Sequence, residues 1–107
     1  MSTVEITAVE MAAGGTKHEH IAYVRWKDEA GETNWMSRQQ GVEWLRDEHN
    51  KARVASSADP RGYVSVKVIE EIPPYLQTRR NGILMDNLLH LPGGPSGPAL
   101  PPGWKRR

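Results

Sequence analysis

The chain has 107 residues, 37% of them apolar, and no cysteine, a composition that supports one modest hydrophobic core and excludes disulfides, cysteine metal sites and thiol catalysis. Three of its 14 basic residues end the sequence at 105–107, so residues 1–92 carry 11 basic and 13 acidic residues, a net charge of −2. This balance lacks the overall positive charge that is typical of nucleic-acid-binding domains.

The first predicted strand extends from Thr3 to Met11, where apolar and polar residues alternate. A period of two is typical of a strand with one buried face. We expect that face to consist of Val4, Ile6 and Ala8. The glycines at positions 14 and 15 then supply the backbone freedom for a turn.

A second strand is predicted from His20 to about Trp26, after a polar connection. Successive residues of this strand alternate between two faces. We expect the more apolar face to be buried, because the other face carries more polar atoms. The expected core face consists of Ala22, Val24 and Trp26. The opposite face consists of Ile21, Tyr23 and Arg25.

A short third strand over residues 33–36 follows a charged turn with a late glycine and completes a meander. A helix is expected next, because Ser37 and Gln40 have the spacing of a capping box, in which two side chains satisfy backbone N–H groups at the helix start. We expect this helix to continue to about residue 48 or 49. Val42 and Leu45 should face the sheet.

The second half of the chain contains strand patterns separated by turn sequences. A short strand can form over residues 53–56, and Asp59-Pro60-Arg61-Gly62 has the composition of a tight turn. The most regular strand is predicted over 63–70, because valines alternate there with polar residues, and the two prolines at 73 and 74 end it. Its expected inward residues are Val64, Val66 and Val68.

A tight final hairpin is predicted around Asn81-Gly82, since this dipeptide is a strong signal for a two-residue turn. The flanking strands are expected over 75–78 and 83–85. Residues 86–92 then close the domain, and we expect their leucines to enter the core.

These elements predict an α+β fold, a small antiparallel sheet of about five strands with one helix packed across it. We expect a single domain over residues 1–92, followed by a disordered basic tail over 93–107, which is rich in proline and glycine. Residues 1–11 contain no basic residue and no long apolar run, so neither a signal peptide nor a membrane contact is expected. Together with the lack of cysteine, this favours a cytoplasmic location.

Several segments resemble a known family. They are Gly-Gly-Thr-Lys-His-Glu-His-Ile at 14–21, Tyr-Leu-Gln-Thr at 75–78, Asn-Gly at 81–82 and Asp-Asn-Leu-Leu-His-Leu-Pro at 86–92. In combination they are similar to a family of small, mostly bacterial proteins known as domain of unknown function 3892. The resemblance implies a compact soluble domain without an assigned activity, and it therefore supplies no catalytic residues.

The triplet His18-Glu19-His20 is the strongest candidate for chemistry. Two histidines at this spacing on a strand share one face and can ligate a metal, and the glutamate between them can act as a general base. The alternative is that these side chains bond to nearby backbone and stabilise the turn. Because two ligands do not complete a metal site and no catalytic motif accompanies them, we expect no metal, no cofactor and no catalytic residue.

Basic residues at 79–80 and 105–107 lie near Tyr75 and Trp104, and this combination is used in single-stranded nucleic-acid binding. The alternative is that both basic clusters are simply exposed to solvent. The prolines at 95–101 also match the loose spacing of extended peptide ligands, which would suit a protein partner.

We interpret the chain as a non-catalytic binding or protein-interaction module. The alternatives are an accessory nucleic-acid-binding protein and, third, a small metal-binding protein or enzyme. A candidate binding rim arises if the final hairpin pairs near the second strand, because two polar segments then converge. Its residues are His18, Glu19, His20, Arg79, Asn81, Asp86 and Asn87.

Overall fold

Two meanders joined by a helix form the structure. The computed structural model describes residues 2–57 and 59–98. The strands in these ranges are β1 (Ser2–Met11), β2 (Ile21–Asp28), β3 (Thr33–Ser37), β4 (Asn50–Ala55), β5 (Tyr63–Ile69), β6 (Tyr75–Arg80) and β7 (Ile83–Met85). The helix is α1 (Arg38–Arg46), and His18–His20 and Asn87–His90 form short 3₁₀ turns.

The strands of the described residues belong to one sheet in the order β3-β2-β1-β4-β5-β6-β7. The two meanders meet at β1 and β4, which are parallel, with Ser2 opposite Asn50 and Glu5 opposite Arg53. Parallel neighbours need a crossover connection, and α1 supplies it between β3 and β4. The other strand pairs are antiparallel.

The prediction of about five antiparallel strands is therefore wrong in strand number and in the central pair. The sheet has seven strands and is mixed. Both β4 and β7 overlap predicted strand segments, 53–56 and 83–85, so the error lies in the number of segments that were expected to join the sheet. These strands form because the backbone groups of a neighbouring strand pair with them.

The helix begins as its sequence predicts. The hydroxyl of Ser37 accepts from the backbone N–H of Gln40 at 3.1 Å, and the Gln40 side chain accepts from the backbone N–H of Ser37 at 2.9 Å. The helix ends at Arg46, two or three residues before the predicted end. Asp47 is extended there, and the Asn50 amide donates to the carbonyl of Trp44 at 3.0 Å, which satisfies a carbonyl of the last turn.

The hydrophobic core lies between one face of the sheet and α1. Val42 of the helix is buried and Leu45 packs against the same cluster, as predicted. Gly41 permits a close approach, because a Cβ at this position would lie 3.2 Å from Cδ1 of Leu76. Leu88 enters the core from the turn Asn87–His90. The strands contribute Val4, Ile6, Val9, Val24, Val54, Val64 and Val66.

A bulge changes the predicted face of β1. Ile6 is opposite Trp26, but Ala8 is opposite Arg25, so Thr7 is an additional residue in β1. Beyond the bulge Val9 occupies the core face, whereas Ala8 is buried on the opposite face beside Arg25. The expectation that Ala8 continues the Val4 and Ile6 face is therefore wrong, because one extra residue reverses the side-chain alternation.

The second strand also differs from the prediction at its start, where Ala22, expected in the core, is only half-buried. Val24 is buried and Trp26 packs against the core, as expected. Ile21 is 1% exposed and belongs to the core, although the simple alternation placed it on the opposite face. The pairing of β1 with β2 shifts between Glu10 and Met11, and this irregularity permits Ile21 to turn inward.

Residues 93–98 lie against the preceding turn. The N–H of Ser96 donates to the carbonyl of Leu89 at 3.1 Å, and the N–H of Gly94 donates to the carbonyl of Leu91 at 2.9 Å. A Cβ at Gly94 would lie 2.5 Å from the carbonyl oxygen of Leu89, so this position requires glycine for steric reasons. The remainder of the predicted tail, 99–107, lies outside the described residues. Among the described helices, none has the length and apolar character needed to cross a membrane.

Candidate functional site

The predicted rim residue His20 serves the local turn. Its Nδ1 accepts from the backbone N–H groups of Thr16 and Lys17, both at 3.2 Å, and its carbonyl accepts from Ala12 at 2.7 Å. The neighbouring Glu19 is exposed, and its carbonyl accepts from Nη1 of Arg38 at 3.1 Å. The contacts of His20 therefore match the alternative interpretation, in which this segment stabilises its own turn.

His18 is the residue through which the two predicted segments approach each other. It lines a small cleft with Tyr75 and Leu89, and within residues 2–57 and 59–98 its buried Nε2 has no hydrogen-bond partner. Burial lowers the pKa of His18 below its ordinary value, and the nearby carboxylate of Asp86 acts in the opposite direction. His18 and Asp86 are thus neighbours, although the structure records no hydrogen bond between them.

The other rim residues of the final hairpin have structural contacts. Asn81 and Gly82 form the turn with φ values of 52° and 78°, as the dipeptide predicts. The Oδ1 of Asn87 lies 3.1 Å from the buried hydroxyl of Thr78. Asp86 is exposed, and its Oδ2 lies 3.8 Å from Nε2 of His90. In the described ranges, no three histidine, aspartate or glutamate side chains form a group that could hold a metal ion.

The remaining rim residue, Arg79, belongs to a different surface, which we call the basic sheet face. This surface is the side of the sheet opposite the core. Successive side chains of a strand point to opposite sides, so residues between inward positions lie on it, as Arg53 does between Ala52 and Val54. Among the described residues, six basic side chains project from this surface. One of them, Arg25, lies between the inward Val24 and Trp26 and donates to the hydroxyl of Thr33 at 2.6 Å. The others, which we call the five basic side chains of this face, are Lys27, Lys51, Arg53, Lys67 and Arg79.

One row of the basic sheet face crosses the whole sheet. Directly paired residues connect it from strand to strand. The residues of this row are Thr33, Lys27, Glu5, Arg53, Ser65, Arg79 and Leu84. Neighbouring strands are about 4.8 Å apart, so Lys27 and Arg79, four strands from each other, are separated by roughly 19 Å. The positive charges are therefore distributed over the sheet and are not confined to one hairpin.

In the part of the chain that the structure describes, the five basic side chains of this face form no ion pair, although Lys27 and Arg53 are both paired across strands with Glu5. None of the five lies within 4.0 Å of a carboxylate oxygen, and Glu5 is the acidic residue of the row. Three arginines elsewhere form ion pairs, Arg46 with Glu70 at 2.7 Å and both Arg61 and Arg80 with Asp59. Charge is thus unevenly distributed on a protein whose net charge is only +1.

The predicted cluster of Arg79 and Arg80 is divided between two environments. The Nε of Arg80 donates to Oδ2 of Asp59 at 3.1 Å, whereas Arg79 projects from the basic sheet face. Asp59 is 8% exposed and also accepts from Nε of Arg61 at 3.0 Å. Hydrogen bonds from Arg61, with a further one from Arg80, hold the pKa of Asp59 well below its ordinary value.

The aromatic ring of Tyr63 lies against two of the arginines at this end of the sheet. Its ring lies 4.5 Å from the guanidinium carbon of Arg53 and 5.2 Å from that of Arg61. Both distances allow a cation–π interaction. Because Asp59 holds Arg61, the ring of Tyr63 has a defined position beside Arg53.

Comparison with known proteins agrees with the resemblance seen in the sequence. Residues 5–92 match the model of a family described as "Protein of unknown function (DUF3892)". The chain belongs to this family. The DUF3892 match extends from β1 to Pro92, directly after the turn Asn87–His90 and Leu91, and includes the five basic side chains of the basic sheet face. No curated protein and no solved structure matches the chain.

Four of the five basic positions in this DUF3892 protein were not part of the predicted rim. A signal for them exists in the sequence, because Lys51 and Arg53 are two residues apart and Lys67 lies between inward valines. Basic residues at outward positions of several strands indicate a basic sheet face once the strand order is known. The pattern is weak without that order, since each strand contributes only one or two charges.

Proposed function

We propose that this protein is a non-catalytic binding module whose ligand carries several negative charges and contacts the basic sheet face. The observation that supports the proposal is the set of five basic side chains that form no ion pair among the described residues. Four of them, Lys27, Lys51, Lys67 and Arg79, are exposed.

Mutual repulsion supports the need for an anionic ligand. Lys51 and Lys67 lie one residue beyond the paired Ala52 and Val66, so their side chains leave adjacent positions on neighbouring strands. Like charges at such positions destabilise a sheet. An anion that bridges them would relieve this repulsion, and a surface of one charge sign also attracts such a ligand from a distance.

The local contacts of the polar turn residues support a role without catalysis. His20 and Asn87, two of the predicted rim residues, bond to neighbouring groups that need a partner. The His20 side chain thereby stabilises the turn before β2, and the Asn87 side chain provides a hydrogen-bond partner for the buried hydroxyl of Thr78. These contacts favour a structural role for the rim and leave the sheet face as the surface for binding.

The test is a titration of the isotopically labelled protein with a panel of polyanions at low salt. The panel contains inorganic polyphosphate, poly-glutamate, oligonucleotides and vesicles of anionic lipid. We expect at least one member to shift the amide resonances of 27, 51, 53, 67 and 79, with an affinity that falls as salt is added. If no polyanion shifts these resonances, the proposal is wrong.

A matched pair of variants makes this test specific. Lys67→Glu reverses a charge on the basic sheet face, and Lys17→Glu makes the same change at an exposed position in the turn before β2. We expect Lys67→Glu to weaken binding by about tenfold and Lys17→Glu to leave it nearly unchanged. Equal losses in both variants would indicate a response to net charge alone.

The cleft beside His18 is a second candidate site. The buried Nε2 of His18, which has no hydrogen-bond partner among the described residues, favours it, and Tyr75 and Leu89 complete its wall. A small ligand with a hydrogen-bonding group would suit this cleft. Amide shifts confined to residues 16–19 and 86–89 on titration with a metabolite panel would support it, and unchanged resonances in both segments would exclude it.

A further inference from the structure

We infer that the anionic ligand of the basic sheet face is a single strand of nucleic acid, either RNA or DNA. This inference rests on the proposed function and specifies its ligand. Four features of the face favour a single strand of nucleic acid over other polyanions. They are the width of the sheet, the spacing of its charges, the tyrosine beside Arg53 and the neutral hydrogen-bonding residues between the charges.

The width of the surface favours a single strand over a duplex. Seven strands at a spacing of about 4.8 Å extend over roughly 29 Å, whereas the major groove of B-DNA is about 12 Å wide and the minor groove about 6 Å. The helix α1 lies on the other side of the sheet, where it packs against the core. Neither groove can admit this face, but an unpaired strand can lie across it.

The arrangement of the charges suits a nucleic-acid backbone. In the row that crosses the sheet, Lys27, Arg53 and Arg79 alternate with residues that are not basic, so successive cations are two strands, or about 9.6 Å, apart. Lys51 and Lys67 lie two residues along β4 and β5 from this row. A flexible chain of phosphates can reach several of these cations in turn.

The face also offers a ring and a guanidinium plane to the bases. Tyr63 lies beside Arg53, and Asp59 holds Arg61 on the same ring. Bases stack on tyrosine rings and on arginine guanidinium groups without strong sequence preference, because every base has a flat aromatic surface. Neither poly-glutamate nor polyphosphate has an aromatic group to place against Tyr63.

Neutral polar side chains separate the charges. Ser65 is paired with both Arg53 and Arg79, and Gln77 is paired with Lys67. Hydroxyl and amide groups of this kind bond to sugars, phosphates and base edges in nucleic-acid complexes. A surface for anionic lipid requires no hydrogen-bonding groups at these positions.

The first experiment compares ligands by fluorescence anisotropy with the full chain. The probes are labelled 12-nucleotide single strands of RNA and DNA and a duplex of the same sequence. Polyphosphate and poly-glutamate with the same charge as the single strands are the simple polyanions for comparison. We expect one of the single strands to bind at least tenfold more tightly than the duplex and both simple polyanions. Five phosphate contacts predict a loss of affinity of about 100-fold between 50 and 200 mM salt.

The second experiment tests stacking. Tyr63→Leu should weaken binding of the single strand by about tenfold, and Tyr63→Trp should retain it, because only the second variant keeps an aromatic ring. Polyphosphate binding should be unchanged in both. Thermal melts establish that both variants fold before their affinities are compared.

The outcomes separate this inference from the proposed function. Three results would overturn the nucleic-acid inference but leave the proposal of a polyanion-binding module. The first is equal affinity for single strands and polyphosphate, and the second is an equal response of both ligands to Tyr63→Leu. The third is a preference for duplex, poly-glutamate or anionic vesicles. No binding to any of these ligands would overturn both.

Discussion

Asp59 and Arg80 connect two distant parts of the chain. The Asp59 carboxylate, almost completely buried, accepts from Nε of Arg80 at 3.1 Å across 21 residues. This contact ties the turn before β5 to the end of β6, and the same carboxylate holds Arg61. The pair therefore stabilises one end of the sheet, and it holds Arg80 on the side of β6 opposite Arg79 and the basic sheet face.

We expect Asp59→Asn to lower the thermal unfolding midpoint by about 5 °C, because two arginines lose their charged acceptor. Differential scanning calorimetry measures this change. Glu29→Gln, which removes a carboxylate from an exposed turn, serves as the control and should have little effect. Equal midpoints for Asp59→Asn and the wild-type protein would show that the contact contributes nothing to stability.

The pH dependence of stability follows from the same contact. The pKa of Asp59 is lower in the folded protein than the value of about 3.9 in the unfolded chain, so the native state favours the charged form. The stabilisation is complete well above pH 4 and is lost as the pH falls below 4 towards the folded-state pKa. Urea unfolding between pH 7 and pH 2 measures this loss, which should be smaller in Asp59→Asn. Parallel curves for the two proteins would contradict the assignment.

The two faces of β5 give opposite mutational effects. Val66 is 3% exposed in the core, so Val66→Asp buries a charge without a partner and should prevent stable folding. Lys67 is exposed on the basic sheet face, so Lys67→Ala should retain the wild-type midpoint and weaken polyanion binding severalfold. Circular dichroism melts and anisotropy titrations measure the two effects. A folded Val66→Asp protein would mean that the register of β5 is wrong.

Residues 93–98 allow a test of the domain boundary. Gly94→Ala should lower the unfolding midpoint by several degrees, because the new Cβ would lie 2.5 Å from the carbonyl oxygen of Leu89. Ser96→Ala is the control, since the backbone of Ser96 makes the bond to Leu89 and its side chain is exposed. If Gly94→Ala melts like the wild-type protein, the prediction of a tail that begins at residue 93 is supported.

The sequence by itself determined the local structure of this protein. The capping box at Ser37, the turn at Asn81-Gly82 and the inward valines of β5 depend on residues within a few positions of one another, and all three are present as predicted. Hydrogen bonds and dihedral preferences within such short segments favour one conformation wherever the segment occurs. The family resemblance was likewise contained in the sequence and is confirmed by the match over residues 5–92.

The tertiary structure alone decided the strand order, the bulge and the basic sheet face. Arg53 and Arg79 share a row because each is paired with Ser65, and Glu5 joins the row through the parallel pairing of β1 with β4. The alternation of side chains within a strand predicts which residues share one side of the sheet. It does not predict which strand lies next to that strand or in what register the two pair. Those choices depend on contacts between residues far apart in the chain, where burial of the shared core selects one arrangement. The strand order that buries the core also determines which charged residues become neighbours on the basic sheet face.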